Sequence, residues 1–143
     1  MYQAQPREVL SQGDVLTRIQ VAEVVDEAVR EDMRDLLVLS HDCEIAKPDN
    51  HWVLCARIRT IDSLDSSNAG HVRSGHVLNA MHLPATVGDV AEAFVDFRMI
   101  HRIRKDALLR AVDDGRRVTS MSDDGRLTLV SYLYRYFARK LPA

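Results

Sequence analysis

The sequence predicts a mainly β, α+β domain: a small barrel or strongly bent antiparallel sheet closed by a C-terminal α-helix. Three observations carry this. Val95, Phe97, Met99, His101 and Ile103 alternate with Asp96, Arg98, Ile100 and Arg102, the period-two pattern of a strand. Residues 36–40 (LLVLS) form an apolar run too short for a helix of its own, which reads as a central strand. Ser122, followed by Asp123 and Asp124, is a helix start: a side-chain acceptor for an orphan N–H, then acid at the positive end of the dipole.

In chain order, Gln12-Gly13-Asp14 is a turn leading into a strand over 15–20. There Val15, Thr17 and Ile19 alternate with Leu16, Arg18 and Gln20. Residues 21–31 admit two readings. Val21, Val24, Val25, Ala28 and Val29 fall on one helical stripe, whereas their β-branched side chains suit a hairpin. Pro48-Asp49-Asn50 is a turn, and residues 52–61 return as a strand antiparallel to 36–40. Leu54, Ala56, Ile58 and Thr60 share one face of that strand, with Arg57 and Arg59 on the other. Residues 63–70 (SLDSSNAG) are turn formers and read as a loop. Residues 77–83 are a short strand stopped by Pro84, which has no N–H to donate.

In the final helix, Leu127, Val130, Tyr134, Phe137 and Leu141 form the stripe expected to pack on the sheet. Arg139, Lys140 and Pro142 mark its end. No linker or repeat divides the 143 residues, so they read as one domain, with a β-rich body over 10–119 and the helix over 122–140.

Composition narrows the function. Hydrophobic residues at 46% and charged residues at 28% are globular values, and no apolar run is long enough to cross a bilayer. Residues 1–14 show no basic-then-apolar export pattern, so the expected location is the cytoplasm, or incorporation into a virion or other assembly. The net charge of −2 is unevenly spread, acidic in the first half and basic in the second, which suits docking to a charged partner. Arg98, Arg102, Arg104, Lys105, Arg110, Arg116 and Arg117 form a basic stretch. With few interleaved aromatics, no Gly-rich phosphate loop and acids among them, they read as a salt-bridged surface rather than a nucleic-acid site.

Reactive side chains concentrate in Ser40-His41-Asp42-Cys43-Glu44. If this segment stays extended, His41 and Cys43 point the same way, and His51 and Cys55 arrive on the next strand as a His2Cys2 set for zinc. The spacing matches no common zinc module, so the expectation is no metal and no cofactor. Cys43 with His41, His51 or His76 is a nucleophile–base pair if hydrogen-bond reach and an orienting group exist.

Three segments, 12–15 (QGDV), 36–45 (LLVLSHDCEI), and 94–103 with 120–127 (SMSDDGRL), together resemble an uncharacterised bacterial family. That family has a Gly-Asp start, a Ser-x-Asp-Cys-Asp/Glu centre and a helix after Ser-x-Ser-Asp-x-Gly-Arg. More distantly the layout resembles the MazF/PemK-like toxins, SH3-like barrels that cleave RNA without a metal. That resemblance implies Arg34 as the phosphate-steadying cation and Thr60 as the hydroxyl at the scissile group. Asp35 stands where those toxins carry Pro, and Glu31 and Asp32 add to an acidic surround.

The leading expectation is therefore a non-enzymatic protein–protein interaction or assembly module, with a protein partner or a homo-oligomer and no membrane. SH3-like barrels serve in phage head–tail connectors, and by that analogy a phage or mobile-element structural or accessory role is one setting. The alternative is a MazF/PemK-like endoribonuclease, with RNA as its partner.

Overall fold

Valines that fit a helical stripe are also good strand residues, and here the strand prevails. A computed structural model describes residues 1–86 and 90–139. In it, β1 (Asp14–Val25) and β2 (Ala28–Val38) form one long hairpin, so the helical reading of 21–31 is corrected. Its turn is Asp26-Glu27, both at positive φ (50° and 66°), the two-residue geometry that matches strand twist. Arg18, at φ 54°, marks a bulge where the register shifts between Leu16 and Ile19. The bulge overrides the simple alternation read from the sequence: Leu16, Ile19 and Val21 all enter the same core.

The remaining elements are α1 (Asp42–Ile45), β3 (Trp52–Thr60), a 3-10 turn (Ile61–Ser63), α2 (Ser66–Arg73), β4 (Ala80–Leu83), β5 (Ala93–Arg104), α3 (Lys105–Asp113), β6 (Arg117–Ser120) and α4 (Asp123–Ala138). Among the described residues six strands form one antiparallel sheet in the order β4-β5-β3-β2-β1-β6. Among the described residues the sheet is open, with β4 and β6 as its edges, so of the two forms expected it is the bent antiparallel sheet rather than the closed SH3-like barrel. The mainly β, α+β architecture with a C-terminal helix holds.

The LLVLS run is central because both faces of the sheet are covered. Leu36 and Val38 join Leu16, Ile19, Val21, Val53, Cys55 and Ile103 under Leu108 and Ala111 of α3. Leu37 joins Val15, Ala56, Val95 and Phe97 under Leu129 and Tyr136 of α4. Strands buried on both faces lose alternation and read as continuous apolar runs. β5 changes face partway: Val95 and Phe97 lie on the α4 side and Ile103 on the α3 side. A register shift pairs Ala56 with Ile100 but Arg57 with Asp96.

The segment expected to be a loop at 63–70 is mostly α2. Asp65 caps it, its side chain accepting from the Asn68 N–H at 2.8 Å, and Ala69 and Val72 pack on Ile61, Ala80 and Phe94. Polar turn formers at a helix start serve as capping residues. The strand expected over 77–83 begins only at Ala80.

The start of α4 is as expected: Ser122 Oγ accepts from the Gly125 N–H at 3.1 Å. Its packing stripe is not. Leu129 is fully buried and Tyr136 nearly so, with Tyr132 and Leu133 packed beside them. Leu127, Val130, Tyr134 and Phe137 instead face outward. Gly125 explains the choice. A Cβ there would run into the Met1 carbonyl oxygen, so the glycine lets the helix lie against the N-terminus and turns the 125-129-132-136 row inward. Leu141, Lys140 and Pro142 lie outside the described residues.

Val38 is completely buried in the central strand. Val38→Asp would place an unpaired carboxylate there and remove on the order of 5 kcal/mol, much of the roughly 5–15 kcal/mol that holds a domain. The expected outcome is loss of the cooperative thermal transition in circular dichroism. A variant melting within a few degrees of the wild type would show the core to be placed wrongly.

Candidate interaction surface

Residues of the motif segments 12–15, 36–45 and 120–127, far apart in sequence, meet at one joint. Asp14 is fully buried. Its Oδ1 accepts from Ser120 Oγ at 2.6 Å, and its Oδ2 from the Ser11 N–H at 2.9 Å and Arg117 Nη1 at 3.1 Å. Burial outweighs these bonds and holds its pKa above the usual carboxylate value. Gly13, at φ 87°, lies so close to Met121 that a Cβ would sit 2.8 Å from that side chain, and its carbonyl accepts from the Met121 N–H at 3.1 Å. Asp42 completes the joint: Oδ1 accepts from the Gln12 N–H at 2.8 Å and Oδ2 from Arg126 Nη2 at 2.9 Å. The motif residues satisfy one another, which makes them architecture.

His41 and Cys43 sit at the rim of this joint. His41 is the N-cap of α1; its Nδ1 lies 3.2 Å from the Cys43 backbone N and 3.0 Å from Cys43 Sγ. Of the three conditional nucleophile–base pairings of Cys43, the one with His41 is thus in contact. However, Nδ1 is already occupied as a cap acceptor, and among the described residues no hydrogen bond orients the other ring nitrogen. A base of this kind needs such an orienting partner.

The zinc set is not brought together. Cys43 is exposed on α1, whereas Cys55 is buried beneath α3, where desolvation pushes its thiol up to about 12. His51 is exposed before β3. Among the described residues no group of three or more His, Cys, Asp or Glu side chains gathers to hold a metal.

Arg34 and Thr60 are also apart, on opposite faces of the sheet. Arg34 is paired with Asp32 at 2.7 Å and Glu23 at 3.5 Å, on the α3 side beside Arg57, which also bonds Glu23. Thr60 shares the α4-side face with Ala56 and Ile58 and lines a small hollow with Asp35, Thr17 and Val15. Asp35 is committed to the bulge, accepting from Thr17 Oγ1 at 2.8 Å and the Arg18 N–H at 3.1 Å. A cation and a hydroxyl separated by a sheet cannot act on one phosphate.

The basic stretch is largely consumed within the chain. Arg98 is bidentate to Asp96, Arg104 and Arg110 pair with Asp106, Arg116 with Asp114, and Arg117 with Asp14. Arg102 and Arg104 lie over the Trp52 ring at 4.2 and 5.4 Å. Lys105 donates to the Ile45 and Lys47 carbonyls, each at 3.0 Å.

What the joint leaves exposed is the outer face of α4. Leu127 is 70% exposed, Val130 47%, Tyr134 74% and Phe137 53%. The residues of this face were legible in the sequence, but they were expected to point inward. Its arginines turn back onto the chain: Arg126 to Asp42, Arg135 to the Gly75 carbonyl at 3.3 Å, and Arg139 over the Tyr136 ring at 4.1 Å. An apolar strip on a rigid helix can bury itself only against another apolar surface.

Comparison with known proteins adds no relative: no family model matches this chain, and no curated protein matches it in sequence.

The two thiols differ in environment, and a disulfide-exchange reagent reads that difference. At neutral pH the folded protein should react at Cys43 alone, with Cys55 responding only after denaturation. Rapid reaction of both cysteines in the native protein would contradict the burial of Cys55.

Proposed function

We propose that this protein is a non-enzymatic protein–protein interaction or assembly module, docking through the outward face of α4. The observation that carries the reading is the row Leu127, Val130, Tyr134 and Phe137, four large apolar side chains exposed together on one helix. Single exposed apolar residues are ordinary on a surface; a continuous row on a well-anchored helix is the pattern of a docking site. Two of the four are aromatic, the class that contributes most at interface centres. The helix is anchored from below by Leu129 and Tyr136 and at its start by the Ser122 cap, so docking carries little ordering cost.

A photo-crosslinking residue in place of Tyr134 tests this in the native cell, with the same residue in place of Glu27, at the hairpin tip, as the control. Discrete protein adducts are expected from position 134 and none from position 27. Absence of adducts at 134, or identical adducts at both positions, would overturn the reading. So would cleavage of mixed single-stranded RNA by the purified protein that disappears in Arg34→Ala, since the module is expected to leave RNA intact.

A further inference from the structure

We propose that the occupant of the α4 face is a second copy of this chain, its α4 packed antiparallel to the first across a two-fold axis. This rests on the reading of that face as the docking surface. Residues 127, 130, 134 and 137 follow a 3-4-3 spacing, the a/d seam of a two-helix contact, which is narrower than the stripe a helix needs against a sheet.

The order of side chains selects the direction. In an antiparallel pair centred between Val130 and Tyr134, Leu127 meets Phe137 of the second copy and Val130 meets its Tyr134. Each aliphatic group then fills the space beside a ring. A parallel pair would set ring against ring and Val130 against itself. The ends agree. Asp123 and Asp124 stand at the start of α4. Antiparallel packing opposes the two helix dipoles. A parallel pair would stack four carboxylates at one end.

Nothing charged blocks the middle of the seam. Ser131 and Ala138 flank it with small side chains, and Arg126 and Arg135 are held by Asp42 and the Gly75 carbonyl. Small flanking residues allow helix axes to approach to about 8–10 Å. The four exposed side chains supply on the order of 500 Å² per copy. Twice that, roughly 1,000 Å², lies at the lower edge of specific interfaces, so the dimer should dissociate on dilution.

Sedimentation equilibrium on the purified full chain over a wide concentration range tests the inference. The wild type should follow a monomer–dimer equilibrium. Tyr134→Glu, at an exposed position, should keep the wild-type circular dichroism and melting temperature while weakening dimerisation at least tenfold. Leu127→Glu, exposed on the same face, should weaken it likewise. A wild type that stays monomeric at the highest concentration, or a dimer indifferent to Tyr134→Glu, would overturn the inference. If the purified chain is monomeric while position 134 still crosslinks to a different protein in cells, the second copy is wrong and the interaction module stands. If neither association occurs, both fall.

Discussion

A carboxylate with no contact to water must be satisfied wholly by its neighbours, and Asp14 gathers Ser11, Arg117 and Ser120 around it. These partners come from three places: the N-terminal segment and the two ends of β6. The bond to Ser120 coincides with the pairing of Asp14 with Ser120 that joins β1 to β6. Ser120 also accepts from the Arg7 N–H at 3.2 Å, and its carbonyl from the Gln3 N–H at 2.9 Å. One residue further, Met121 bridges to Tyr2, and the Ser122 N–H donates to the Met1 carbonyl at 2.8 Å. The chain therefore enters α4 from a point fixed by Asp14. Removing one member of such a set leaves the others buried and unpaired, which costs far more than the pairing itself contributes.

The uneven charge of the sequence finds its use at the same place. Acids from the first half, Asp14 and Asp42, are matched by arginines from the second, Arg117 and Arg126. Arg7 and Asp123 repeat the arrangement with the signs exchanged. The asymmetry that suggests an acidic face and a basic face thus serves in part to bring the two ends of the chain together. Beyond its first turn the large side chains that remain outward on α4 are Leu127, Val130, Tyr134 and Phe137, while its arginines are spent on these and similar contacts.

Parts of this were legible in the sequence for definite reasons. LLVLS identified itself because a strand covered on both faces has no polar side to show, and Ser122-Asp123-Asp124 because capping is local chemistry. The long hairpin was not, since its valines satisfy a helical and a strand period together and its turn is Asp-Glu rather than Asn-Gly. The bulge at Arg18 and the register shift in β5 re-aim side chains in a way alternation cannot anticipate. In α4 two apolar rows compete, 125-129-132-136 and 127-130-134-137. Only the contact between Gly125 and the N-terminus decides between them. The motif residues Gly13, Asp14, Asp42, Ser120 and Arg126 stood out together in the sequence, and they do meet. Their chemistry is that of a joint, which no residue type by itself reveals.

Hydrogen–deuterium exchange on Asp14→Ala, compared with wild type under native conditions, tests most directly whether this joint positions α4. Protection should fall selectively in β6, in the N-terminal segment and in the first turns of α4, while the β2–β3 core stays protected. Unchanged protection across β6 and α4 would contradict the account, because the helix would then be held by its sheet contacts alone.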